Sequence, residues 1–112
     1  MSVFCIQVQM SRAPVIDLAF IRETAAQLGA NGLFTRYSEE EGSDQAEHYV
    51  NLYFDAPSTA DAWPVIRSIL YEDSRLGPFL EKSSIATCQG QNGWDDYLLL
   101  HHFRPTVSRD RL

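Results

Sequence analysis

The side chains of this sequence that could do chemistry fall into a few small groups, each constrained by the element that carries it. His101 and His102 are adjacent, which on a strand sends the two imidazoles to opposite faces and keeps them from sharing one ion. His48 belongs to a different strand, and no HxH, HExxH or CxxC spacing occurs, so no metal site is expected. Trp94-Asp95-Asp96-Tyr97 offers paired carboxylates that could move protons if one were desolvated enough to raise its pKa. Beside an exposed Asn-Gly turn they read instead as solvated charges. Cys5 and Cys88 each fall in a strand, with no neighbouring His, CxxC partner or helix N-terminus to lower a thiol pKa, and read as packing residues. Gly29-Ala30-Asn31-Gly32 stands at the end of a helix, the wrong place for a phosphate. The run Glu39-Glu40-Glu41-Gly42-Ser43-Asp44 lacks the alternating ligands of a calcium loop and reads as a solvated connection that could meet a basic partner. No catalytic residue, metal or cofactor is expected from these groups.

The bulk properties narrow the field further. A chain of 112 residues, 45% hydrophobic and 21% charged, has material for one globular domain with its own core. Its net charge is −6, unevenly spread: residues 1–103 hold fourteen acidic and six basic side chains, whereas the tail sets Arg104, Arg109 and Arg111 against Asp110. A body this acidic repels phosphates, so nucleic acid is disfavoured as a partner. Met1-Ser2-Val3-Phe4 opens on a strand pattern without a basic n-region or apolar h-region, and no apolar run approaches the roughly 18 residues of a membrane span. Two unclustered cysteines fit a reducing compartment, and a cytoplasmic protein without membrane contact is expected.

The elements that must position these groups follow from periodicity. Residues 3–10 alternate, with Phe4, Ile6, Val8 and Met10 on one face and Val3, Cys5, Gln7 and Gln9 on the other. Pro14 suits a helix start, and Leu18, Ile21, Ala25 and Leu28 recur at helical spacing, with Gly29 and Gly32 placed for a C-cap. Residues 33–38 read as a second strand and 47–55 as a third, joined through the polar run 39–44 as a hairpin. Ser58 and Asp61 resemble a capping box for a second helix carrying Ala62, Ile66, Ile69 and Leu70; Pro64 requires that helix to start near Asp61 or to bend. Leu76-Gly77-Pro78 breaks it, with Phe79-Leu80 in a loop or short helical turn. Residues 84–89 form a fourth strand, Asn92-Gly93 a type I′ turn, and 97–103 a fifth strand. A domain over residues 1–103 with a flexible basic tail at 104–112 results.

The order β-α-β-β-α-β over the first six elements resembles the ferredoxin-like superfold, an α+β architecture whose antiparallel sheet carries both helices on one face. The resemblance implies a strand order 4-1-3-2, with the fifth strand added at the edge beside the fourth. It carries no function by itself. It does leave one sheet face uncovered, and alternation assigns Gln7, Gln9, Tyr49, Asn51 and Tyr53 to it, with Cys5, Arg36 and one face of Phe34. This mixture of aromatics and amides with little charge suits an interface. Leu98-Leu99-Leu100, apolar on both faces of an edge strand, also calls for a cover: another subunit, the tail or the helices. The expectation is a non-enzymatic interaction or inhibitor module acting as a homodimer, with a basic protein as a further partner. The alternative is a small dimeric enzyme or ligand-binding domain with a pocket between sheet and helices, using His48, His102, Tyr49 or Tyr53.

Overall fold

A computed structural model describes residues 2–12, 17–44, 47–90 and 96–111. Pro14, the Asn92-Gly93 turn and the Trp94-Asp95 pair lie outside them. The described chain is α+β: an open antiparallel sheet of five strands, β1 (Ser2–Gln9), β2 (Arg36–Asp44), β3 (Glu47–Ala56), β4 (Ser84–Gln89) and β5 (Tyr97–His101). Three α-helices accompany it among the described residues, α1 (Leu18–Gly29), α2 (Thr59–Ile66) and α3 (Gly77–Ser83). The strands lie in the order β2-β3-β1-β4-β5, which from the opposite edge reads β5-β4-β1-β3-β2.

Alternation explains the core. Phe4, Ile6 and Val8 stand opposite Phe54, Leu52 and Val50 across β1 and β3, and all six are at most 2% exposed. They pack against Ile21, Ala25 and Leu28 of α1, which recur at i, i+4 and i+7, and against Ala62, Ile66, Leu70 and Leu80. Asp17 caps α1 by accepting the Phe20 N–H at 3.0 Å, and Ser58 caps α2 by accepting the Asp61 N–H at 3.3 Å. Side chains therefore fill the middle of the space between sheet and helices.

Several expectations need correcting. The polar run 39–44 is not a loop but the outer half of β2. Its alternate acids face α1, where Arg22 Nε and Nη1 lie 2.6 and 2.8 Å from Glu39 and Glu41, and Tyr37 donates to Glu39 at 2.7 Å. Charge belongs on an edge strand, and here one guanidinium of the helix engages two of the four acids. Second, Phe34 does not reach the open face; it is 7% exposed, with its ring 5.4 Å from that of Phe54. Third, α1 closes on Ala30 in the right-handed region rather than on a left-handed glycine. Gly29 is required for another reason: a Cβ there would collide with Tyr37.

The fourth correction concerns the second helical region. α2 starts at Thr59, so Pro64 lies inside it, and the hydrogen bond Pro64 cannot donate would have gone to the exposed Ala60. Beyond Ile66 the chain widens into a π-type turn over Arg67–Tyr71, closed by the Glu72 N–H on the Arg67 carbonyl at 2.9 Å. Gly77-Pro78 ends one helical stretch but also begins α3, with Pro78 in its first turn. β5 stops at His101, two residues short of expectation. Residues 104–111 then return beside it: Leu99 N–H donates to Asp110 Oδ2 at 2.7 Å, and Asp110 N–H donates to the Leu99 carbonyl at 2.7 Å.

Candidate functional site

The uncovered face of the sheet is built by the odd-numbered residues of β1 and β3. Register sets Cys5 opposite Tyr53, Gln7 opposite Asn51 and Gln9 opposite Tyr49. Five of the six candidate residues are thus brought together. Arg36 is not among them; it stands opposite Asp55 on the outer strand, exposed at the far end of the face.

Two hydrogen-bond chains organise this strip. Arg12 Nε donates to Gln9 Oε1 at 2.7 Å, and Gln9 Nε2 donates to Gln7 Oε1 at 3.1 Å. Asn51 Nδ2 donates to the Tyr53 hydroxyl at 3.2 Å, which in turn bonds the Cys5 thiol. Tyr49 lies over Gly42 of β2, where any Cβ would strike its ring, so the glycine makes room for an aromatic across the edge strand. Asn51 is only 7% exposed, yet its Oδ1 has no hydrogen-bond partner among the described residues. Gln7, Gln9, Arg12 and Tyr49, with Asp44 and Glu47, also bound a shallow hollow of about 550 Å³ at one end of the face.

Neither the thiol nor the phenol of the strip is activated. Burial pushes the Cys5 thiol up to about 11, the Tyr53 hydrogen bond only partly offsetting it, and burial also raises Tyr53. Cys88 is likewise raised to about 11 by burial. Cys5 stands opposite Thr87, and Cys88 opposite Phe4, so the two thiols point to opposite faces and cannot pair with each other. An aromatic disulfide reagent should accordingly modify the native chain about a hundredfold more slowly at pH 8 than a free thiol. The native rate should keep climbing tenfold per pH unit past pH 9, where a free thiol levels off; a native rate matching that of the urea-unfolded chain would refute the burial.

The remaining candidates disperse. His48 is exposed and borders a separate hollow of about 390 Å³ with Met10, Leu18 and Tyr49. His102 accepts the Arg104 N–H at 3.0 Å and lies against Phe103, ring centroids 4.3 Å apart. His101 donates from Nε2 to the Glu81 carbonyl at 3.1 Å; burial lowers its pKa. Among the described residues no three His, Cys, Asp or Glu side chains converge on a metal-sized point, and no helix is long and apolar enough to cross a membrane.

One concavity escapes sequence reasoning. Trp63, Arg67, Tyr71, Leu100, His101 and Arg109 line a groove beside β5, assembled from α2, the π-type turn, the strand and the returning tail. Only the tail's path brings Arg109 there, and nothing local in 104–111 announces that path. In comparisons with known proteins the chain matches no family model, no curated protein and no solved structure. Its function must be argued from its own residues.

Proposed function

We propose that the chain is a non-enzymatic interaction module of the ferredoxin-like type that works as a homodimer, two copies meeting through their uncovered sheet faces. The superfold assignment is supported by β1-α1-β2-β3-α2-β4 connectivity with β4-β1-β3-β2 neighbours; α3 and β5 are then additions. The observation that carries the dimer is the make-up of the uncovered face around Asn51, whose Nδ2 donates to the Tyr53 hydroxyl within the protomer. Tyr49, Tyr53, Gln7 and Gln9 surround it with aromatic area and further amides, which interface cores favour, and Glu40 of β2 stands opposite it as the carboxylate in that row. A two-fold axis also suits the charges, because β2 carries Arg36 at one end of this face and Asp44 at the other.

The acidic edge gives weaker support to a basic protein partner. Glu39 and Glu41 are already engaged by Arg22, which leaves Glu40 and Asp44 as the acids turned away from α1. A cytoplasmic location accords with two free thiols. Sedimentation equilibrium of the purified chain decides the central point. A reversible dimer in the micromolar range is expected, and a monomer persisting to about 1 mM would end this reading, since weaker association falls short of a specific interface.

A further inference from the structure

On the opposite side of the sheet from the uncovered face, the groove beside β5 widens into a hollow of about 470 Å³. Its floor is apolar: Trp63 and Leu100, 9% and 7% exposed, with Ala60 and Pro64 alongside. Its rim carries three guanidinium groups, Arg67, Arg109 and Arg111, against the single carboxylate of Asp110. That is a local excess of positive charge on a chain whose net charge is −6.

Arg109 is positioned without being neutralised. Arg109 donates from Nη2 to the His102 carbonyl at 2.8 Å and from Nη1 to the Val107 carbonyl at 3.2 Å. Both acceptors are uncharged, so the guanidinium is oriented and keeps its full charge. Asp110 directs its carboxylate to the Leu99 N–H at 2.7 Å. Arg67 has Glu72 at 3.7 Å, with the two side chains 52% and 60% exposed, a loose and solvent-screened pair. The adjoining part of the groove, about 270 Å³, sets Glu72 and Glu81 against the same Arg67 and Arg109, so an anion favours the end where Arg111 adds a third guanidinium.

We infer that this groove binds a small carboxylate with an apolar body, the carboxylate on Arg67, Arg109 and Arg111 and the body on Trp63 and Leu100. The hollow is of the size that takes small molecules. Guanidinium forks grip planar oxyanions bidentately, and the apolar floor favours a body behind the anion over a bare ion. The site does not depend on the dimer, which uses the other face.

An NMR titration of the isotopically labelled full chain tests it with three probes: phenylacetate, neutral phenylacetamide and inorganic phosphate. Phenylacetate should bind with a Kd of about 1 mM in low salt, shifting the Trp63 indole and Leu99–Leu100 amides. Phenylacetamide and phosphate should each bind at least tenfold more weakly. Arg67→Ala and Arg111→Ala, both at exposed positions, should each weaken phenylacetate about five- to tenfold while leaving β1 and β3 resonances in place. Equal binding of the amide would overturn the anionic head, and equal binding of phosphate would overturn the apolar body. Shifts confined to other faces, or none by 20-fold above the expected Kd of about 1 mM, would overturn the site.

Discussion

Gln7→Glu should turn the proposed dimer into a monomer at concentrations where the parent chain is fully associated. Gln7 lies at the middle of β1, opposite Asn51, and is half-buried on the uncovered face. Its Oε1 accepts the Gln9 Nε2 hydrogen at 3.1 Å, and a glutamate keeps an oxygen in that place, so the protomer loses no internal bond. Across a two-fold axis, however, every substitution occurs twice. An axis that brings the two carboxylates within about 6 Å makes them repel by about 3 kcal/mol at an effective dielectric of about 20, a factor of about 100 in the dimer constant. Gln7→Lys should dissociate the dimer in the same way, and mixing the two variants should restore a heterodimer. That restoration separates a symmetric interface from mere damage to the protomer. Glu23→Gln, on the exposed flank of α1, is the control and should leave the dimer constant within twofold. If Gln7→Glu sediments like the parent, the association surface is elsewhere.

The same strip shows what could be read in the residues and what could not. Strict alternation in 3–10 and 47–55 decides which side chains share a face, because a strand has period two and a one-residue slip would invert its core. Gln7, Gln9, Tyr49, Asn51 and Tyr53 were legible for that reason alone. The burial of Asn51 was not, because it depends on its neighbours across the sheet. β2 was misread as ending at Ser38 because its acidic half looks like solvent-facing loop until Arg22, on α1, is placed beside Glu39 and Glu41. Gly29 was misread in the same way: proximity to Tyr37, a contact between elements, decides it rather than the cap. Each failure has one origin. Local pattern reports what a segment prefers, whereas charge pairing, close approach and the tail's return beside Leu99 are set by segments far away in sequence.

Gly77→Ala should be among the most damaging single-methyl changes in the chain, although alanine is the better helix former. Gly77 is buried at the start of α3, and a Cβ there would run into the carbonyl oxygen of Tyr71. The obstacle is backbone, so no rotamer change relieves it. The corner is also tightly tied. Asp73 Oδ1 accepts the Arg75 and Leu76 N–H groups at 2.7 and 2.9 Å, and the Gly77 N–H donates to the Asp73 carbonyl at 2.9 Å. Opening it strains the π-type turn above and pulls on Tyr71, whose hydroxyl lies 2.6 Å from Ser84 Oγ. Ser84, fully buried, passes its own hydrogen to the Leu80 carbonyl at 2.6 Å, so the disturbance reaches β4. A loss of about 3 kcal/mol is expected, which for a domain of this size lowers Tm by about 12 °C. Gly32→Ala is the matched comparison. A Cβ at Gly32 meets nothing within 4 Å, so that change should be neutral or slightly stabilising through the unfolded chain. Thermal unfolding of both variants checks the argument; equal Tm values would show that the corner between the π-type turn and α3 has slack, and with it the wall of the groove that Tyr71 helps to form.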